Sequence, residues 1–228
     1  YQLQNNTDFL CVLGTTAETP TLTEEREKRK IKKNGHRAGG TEEFLSCWAV
    51  GGNNTRAIVE TLKNDDFTGV DAILSVVPYY NKPSQEGIYQ HYKAISEATD
   101  LPIVLYNVPG RTGVNMKAET TLRIARDFKN VIAVKEASGD ITQMDDIIKK
   151  TGNFDVISGD DGITFPLITL GAVGIISVIG NAFPREFSRM VRLALQGDYA
   201  NALTIHHKFA ELFKLLFVDG NPAGVKPC

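Results

Sequence analysis

Short apolar runs alternate with longer amphipathic or polar segments along most of this chain, and this alternation restricts its fold most strongly. Runs rich in β-branched and small apolar residues are typical of strands buried on both faces. We predict strands at 9–13, 44–50, 72–77, 102–106, 131–135, 155–158 and 172–178. Predicted helices lie between or after them at 55–63, 84–95, 118–127, 140–150, 163–170, 184–196 and 198–216. We predict N-caps at Thr23, Ser84 and Asp140, the last as a capping box with Gln143, and one face of the helix at 84–95 made of Ile88, Tyr92 and Ile95. Units of roughly 20 to 30 residues favour parallel strands joined by crossover helices.

Polar side chains gather just after the predicted strands, and their position distinguishes two architectures. In a (β/α)8 TIM barrel, residues that follow the strands share one rim, which is the face where such barrels carry their active sites. An open doubly wound sheet is the alternative, but it normally carries a glycine-rich phosphate or dinucleotide loop, and neither common motif occurs here. We therefore predict an α/β fold, a (β/α)8 barrel, with residues 1–228 as a single domain.

The global composition is that of an ordinary globular protein. The chain has 228 residues and a net charge of -2, which gives no indication of a nucleic-acid or membrane partner. No apolar run approaches the ~20 residues that span a bilayer. The first residues, YQLQ, lack a signal-peptide pattern, so we predict a cytoplasmic protein.

The metal-ligating residue types are too few and too scattered to form a recognisable site. Cys11, Cys47 and Cys228 are an odd number at wide spacing, which predicts neither a disulfide framework nor a zinc site. His206 and His207 are adjacent and therefore point to different sides of a helix. We predict no metal and no cofactor.

Residues 24–50 depart from the surrounding pattern. Ile31 is the one apolar residue in 24–33, so a helix there would have no stripe to pack on a sheet. Residues 24–37 hold seven Lys/Arg against three Glu, which is typical of a solvated helix or disordered segment, with recruitment of a polyanion as the alternative. A strand at 44–50 would carry Trp48, which is bulky for a close-packed barrel interior.

Lys135 stands at the end of the apolar run 131–134. Such a lysine either extends into water or is partly desolvated, and desolvation favours the neutral, nucleophilic amine. Other candidate residues after the strands are Thr15, Thr16, Tyr79, Tyr80, Tyr106 and Arg111. A lysine among these groups suits carbonyl chemistry, in which the amine condenses with a keto acid and the iminium acts as an electron sink. A solvated lysine, packing tyrosines and a structural ion pair at Arg111 are the structural alternatives.

Five polar segments follow the predicted strands: 14–18 (GTTAE), 78–83 (PYYNKP), 106–113 (YNVPGRTG), 135–139 (KEASG) and 158–161 (SGDD). In this order they resemble the signature motifs of the 4-hydroxy-tetrahydrodipicolinate synthase (dihydrodipicolinate synthase) family. These enzymes are pyruvate-dependent class I aldolases of lysine and diaminopimelate biosynthesis, related to the N-acetylneuraminate lyases.

The resemblance implies a role for each matching residue. Lys135 would form a Schiff base with pyruvate, and the enamine would attack L-aspartate 4-semialdehyde. Thr15, Tyr80 and Tyr106 would relay protons, with Tyr80 contributed across a dimer interface in a homotetramer. Thr16 would bind the pyruvate carboxylate and Arg111 that of the semialdehyde, while Gly159 and the Ile176 carbonyl would line the pocket. An arginine at 111 and a threonine at 15 favour the synthase over the lyases.

The same resemblance predicts several departures. Ala17 replaces the family's glycine, which would strain the loop if that position needs a positive φ. Compared with the family, the chain would lack the first strand and the C-terminal helices, and residues 24–50 would be irregular. A non-catalytic truncated remnant is therefore the alternative to an active aldolase.

Overall fold

The computed structural model describes residues 1–23, 25–26 and 45–226. Seven strands form one sheet in which every neighbouring pair is parallel and the spatial order follows the chain. The strands are Phe9–Val12 (β1), Leu45–Ala49 (β2), Ala72–Val76 (β3), Ile103–Asn107 (β4), Val131–Glu136 (β5), Asp155–Ser158 (β6) and Gly174–Ile175 (β7). Consecutive parallel strands with intervening helices are the arrangement of a (β/α)8 barrel.

The helices cover the outside of the sheet. They are Thr55–Asn64 (α1), Gln85–Ser96 (α2), Pro109–Thr112 (α3), Ala118–Asp127 (α4), Ile141–Ile148 (α5), Thr164–Thr169 (α6), Pro184–Leu195 (α7) and Tyr199–Leu215 (α8). The predicted cap residues stabilise their starts, since Ser84 Oγ accepts the Gly87 amide hydrogen and Asp140 Oδ1 that of Gln143. The full capping box predicted for Asp140 is wrong, because the Gln143 side chain bonds Glu136, Asn115 and Met116 instead.

Two apolar layers result from the strand pleat, which sends alternate residues to opposite faces. On the outer face, Ile88, Tyr92 and Ile95 of α2 are fully buried, as the helical spacing predicted. The burial of each such side chain stabilises the folded state by about 1.5–3 kcal/mol. Trp48 also faces this layer and packs on Phe67, so the predicted conflict with the barrel interior does not arise.

The strand predicted at 172–178 is shorter than its apolar sequence suggested. Only Gly174 and Ile175 pair with β6. The buried Asp161 carboxylate accepts hydrogen bonds from the backbone amides of Val178 and Ile179, and these residues enter a short 3-10 turn at Ile179–Asn181. These hydrogen bonds therefore hold the backbone of Val178 and Ile179 outside the sheet.

Several predictions fall on residues 24 and 27–44, which lie outside the described part of the chain. They concern the helix without an apolar stripe at 24–33 and most of the basic segment at 24–37. Thr23 Oγ accepts the Arg26 amide hydrogen at 3.3 Å, as its predicted capping role requires. The strand predicted at 44–50 is confirmed as β2, so the irregularity predicted for 24–50 does not extend to 45–49.

The segment before β1 packs against the segment after β7. Gln2 Nε2 donates to the carbonyl of Gly180, and Arg185 Nε of α7 donates to Asn5 Oδ1. Arg192 makes an ion pair with Asp8 at 2.8 Å. These contacts join the two ends of the curled sheet. In residues 1–23, 25–26 and 45–226, no helix is long and apolar enough to cross a membrane.

The buried His91 of α2 makes the stability of this fold sensitive to pH. Its Nδ1 lies 2.8 Å from Thr55 Oγ, while its buried Nε2 has no hydrogen-bond partner among the described residues. Burial lowers the pKa of His91 from 6.5 to about 4. As pH falls through 6.5, His91 gains a proton in the unfolded chain but not in the folded chain. The contribution of His91 to the free energy of unfolding is therefore full above pH 6.5 and is lost as pH falls toward 4.

We expect His91→Leu to remove this dependence. Between pH 7.5 and 5.0 the wild-type protein should lose about 2 kcal/mol more unfolding free energy than the variant, at ~1.4 kcal/mol per pH unit below 6.5. Urea unfolding at both pH values measures the difference. His207→Leu, at an exposed position, is the matched control and should behave like wild type. Equal losses in His91→Leu and wild type would contradict the assignment.

Candidate active site

One cavity of about 720 Å³ opens at the carboxyl ends of the strands and continues into the space between β1 and β7. It brings together most of the residues that the sequence singled out. Those that line it are Thr15, Thr16, Tyr106, Arg111, Lys135, Gly159 and Ile176.

Lys135 lies on β5 directly opposite Tyr106 of β4 in the parallel register. Its side chain is only 9% exposed, and Nζ lies 4.3 Å from the centroid of the Tyr106 ring. The amine therefore faces the cavity from a partly desolvated position beside a phenol.

Gly159, just after β6, leaves the space that the lysine side chain occupies. A Cβ at this position would lie 3.1 Å from Lys135 Cε and 2.8 Å from Ala137 Cβ. The backbone is held there because the Gly159 amide donates to the Glu136 carbonyl at 2.7 Å. A side chain at 159 would therefore displace the lysine.

Thr15 and Thr16 begin a single 3-10 turn, Thr15–Ala17, that follows β1. The Thr16 hydroxyl accepts a hydrogen bond from Asn221 Nδ2 at 3.1 Å. Asn221 also lines the cavity, 205 positions away in sequence. Sequence reasoning missed this residue, since no local pattern links it to Thr16.

Ile176 is positioned by the loop that Asp161 holds. The Ile176 amide donates to the Ser158 carbonyl, and the next residue, Ser177, donates its hydroxyl to Asp161 Oδ1 at 2.5 Å. Burial raises the pKa of the Asp161 carboxyl, and its three hydrogen bonds oppose that rise. The loop beside Lys135 is thus fixed by a buried carboxylate that the sequence reasoning did not single out.

Arg111 lies on the short helix α3 that follows β4, and it is exposed to solvent at the mouth of the cavity. The helix ends at Gly113, whose φ of 74° is a left-handed conformation that favours glycine. An exposed guanidinium above a buried amine is suited to bind a carboxylate entering from outside.

Comparison with known proteins identifies the family. The model of the dihydrodipicolinate synthetase family matches residues 1–228. The 4-hydroxy-tetrahydrodipicolinate synthase of Phocaeicola vulgatus is 82% identical over 99% of this chain and 76% of its own length. That of Parabacteroides distasonis is 76% identical over the same shares. This chain belongs to the dihydrodipicolinate synthetase family.

A solved structure of a family member supports the same conclusion. The Acinetobacter baumannii dihydrodipicolinate synthase, solved with pyruvate, superposes with a TM-score of 0.93 at 40% identity, over 99% of this chain and 77% of its own. The predicted family, the barrel fold and the pyruvate aldolase reaction are therefore confirmed. The chain spans about three quarters of the length of these relatives, and the family match includes residues 24–50.

Two candidate residues, Tyr79 and Tyr80, do not line this cavity, and of the two the family resemblance gives a role to Tyr80. It is 84% exposed and has a φ of 70°, which is unusual for a residue with a Cβ. Its amide donates to the Thr112 carbonyl at 3.2 Å, so the unusual backbone is held by α3. Tyr80 thus lies outside the cavity that holds the amine of its own chain.

The strain expected at Ala17, where the family has glycine, is absent. Ala17 ends the 3-10 turn, and the left-handed φ values in this loop belong to Leu13 (61°) and Glu18 (53°). The substitution is therefore accommodated without a positive φ. Leu13 and Glu18 carry the unusual conformation instead.

A buried polar network behind Lys135 was also missed. The Glu136 carboxylate, fully buried, accepts hydrogen bonds from Asn107 at 2.6 Å and Ser138 at 2.8 Å. Burial raises the pKa of the Glu136 carboxyl, against the effect of these bonds. Because Glu136 and Asn107 pair in register, the network fixes the strand ends that carry Lys135 and Tyr106.

Proposed function

We propose that Lys135 is the residue of this aldolase that condenses with pyruvate. The observation that carries the proposal is the buried amine of Lys135, 4.3 Å from the Tyr106 ring, in a cavity that also holds two threonine hydroxyls. The neutral amine attacks the pyruvate C2 carbonyl, water leaves, and an iminium forms. Loss of a methyl proton gives the enamine, which attacks the aldehyde carbon of aspartate semialdehyde.

Thr15 and Tyr106 are proposed to move the protons that these steps require. Both line the cavity with Lys135, and Tyr106 is its register neighbour. Thr16 and the backbone near Gly159 and Ile176 are proposed to hold the pyruvate carboxylate and lysine side chain. The reaction draws on side chains and substrates alone, so no cofactor or metal is proposed.

A second copy of the chain is proposed to complete the relay with its Tyr80. The exposure of Tyr80 and its position outside the cavity of its own chain support this arrangement. The homo-oligomer, a tetramer built as a dimer of dimers, remains a proposal, as does the cytoplasmic location predicted from the sequence.

Turnover distinguishes the synthase from a related lyase. We expect consumption of pyruvate to depend on aspartate semialdehyde and to yield a cyclic product that dipicolinate formation reports by ultraviolet absorbance. No cleavage of N-acetylneuraminate is expected. Cleavage of that sugar, with no use of the semialdehyde, would contradict the proposed substrate.

Arg111→Ala should weaken use of the semialdehyde while leaving pyruvate condensation intact. The guanidinium contributes a charge-assisted bond to a carboxylate, so we expect kcat/KM for the semialdehyde to fall about 10- to 100-fold. Steady-state kinetics with each substrate varied measures this.

Arg126→Ala, at an exposed position on α4, is the control and should leave both constants unchanged. If Arg111→Ala instead prevents pyruvate condensation, Arg111 has a different role.

A further inference from the structure

Two cysteines that are far apart in the chain are neighbours in the sheet. Cys11 of β1 and Cys47 of β2 are directly opposite each other in the parallel register. Both face the barrel interior, in the apolar cluster that contains Tyr106 and Ala133. Neighbouring strands lie about 4.8 Å apart, and disulfides join residues whose Cα atoms are 4.4–6.8 Å apart. The backbone spacing is therefore suitable for a disulfide.

The two thiols differ in access and in acidity. Cys11 is partly exposed and lines the cavity, whereas Cys47 is buried at 4% exposure. A hydrogen bond from Cys47 lowers the pKa of the Cys11 thiol, with a smaller contribution from Lys135, and raises the pKa of Cys47. Thiolate character and access select the cysteine that an oxidant attacks. Cys11 is the one that an entering oxidant meets.

We propose that Cys11 and Cys47 form an oxidisable dithiol that responds to small hydroperoxides. The Cys11 thiolate attacks the peroxide oxygen, the O–O bond breaks, and an alkoxide or hydroxide leaves, which gives a sulfenic acid on Cys11. The Cys47 sulfur then displaces that hydroxyl group as water, and the S–S bond forms. Overall, two thiols and one hydroperoxide give one disulfide, one alcohol or water, and one further water.

The disulfide changes the floor of the site. An S–S bond of about 2.05 Å is shorter than any sulfur hydrogen bond, so its formation moves the sulfurs by roughly 1 Å or more. Cys11 Sγ lies 3.6 Å from the position of a Cβ on Gly14, the residue that leads into Thr15. Cys11 belongs to β1, and the turn that begins at Thr15 follows that strand directly, so we expect a bridged and displaced Cys11 to misplace Thr15. Small misplacements of this kind reduce rates strongly.

The experiment treats the reduced chain with hydrogen peroxide and analyses a non-reducing digest by mass spectrometry. We expect a cross-linked peptide that joins Cys11 to Cys47 and has lost two hydrogen atoms. In parallel, kcat/KM for pyruvate should fall about 10- to 100-fold and recover with dithiothreitol. The kinetic measurement rests on the proposed function, whereas detection of the cross-link does not. A reduced chain without activity would therefore contradict the proposed function and not the proposed dithiol.

Variants separate this response from oxidation elsewhere. Cys47→Ser should stop at a sulfenic acid on Cys11, which a cyclic diketone traps, with no cross-link. Cys228→Ser should oxidise like wild type. No cross-link at a peroxide concentration that oxidises methionine would overturn the proposal, and so would a cross-link that leaves kcat/KM unchanged.

Discussion

Replacing Lys135 with arginine is expected to lower turnover by about 10³-fold or more, because a guanidinium keeps its proton and cannot attack a carbonyl. Arginine retains the positive charge and a long aliphatic stem, so the variant changes the chemistry of the group more than its size. Steady-state consumption of pyruvate with aspartate semialdehyde measures the loss.

Lys149→Arg is the matched control for this substitution. Lys149 is exposed and pairs with Asp146 at 2.7 Å, an interaction that arginine also makes. The control should turn over like wild type. Turnover within a few fold of wild type in Lys135→Arg would show that another group carries out the condensation.

The second large effect is expected from Gly159→Ala, which adds one methyl group behind the lysine. That methyl would lie 2.8 Å from Ala137 Cβ and 3.1 Å from Lys135 Cε. Both distances are shorter than ordinary carbon contacts, so the lysine stem must move. We expect kcat to fall about 100-fold, since a shift of about 1 Å in a reacting group has that effect.

Gly152→Ala is the control for Gly159→Ala. Gly152 has an ordinary φ, and a Cβ there would meet no atom within 4 Å. It should leave kcat and the thermal midpoint unchanged. If Gly159→Ala turns over like wild type, Lys135 does not need the space that Gly159 leaves.

The local elements were predictable because their signals are local. The helix α4 has the predicted bounds Ala118–Asp127, and the caps at Ser84 and Asp140 follow from side chains that bond amides three residues later. The apolar run that ends in Lys135 correctly indicated a strand, and every residue of that strand except Ile132 is buried. Each of these features depends on neighbours within a few positions.

The features that sequence reasoning missed depend on tertiary contacts between separate elements of the fold. The wide spacing of the cysteines in the sequence predicted neither a disulfide framework nor a zinc site, but the parallel register of β1 and β2 makes Cys11 and Cys47 direct neighbours. Asn221 reaches Thr16 over 205 positions. The strand predicted at 172–178 is shorter than its sequence indicated, because a buried carboxylate, Asp161, binds the backbone amides of Val178 and Ile179 beyond β7. No pattern of apolar residues reports such contacts.

The proposed chemistry of this aldolase depends on the amine of Lys135. The most direct measurement is to incubate the intact protein with pyruvate, reduce it with sodium borohydride and map the modified peptide by mass spectrometry. The account predicts one reduced pyruvyl group, located on Lys135. An unmodified Lys135 in folded protein, or an adduct on another lysine, would contradict it.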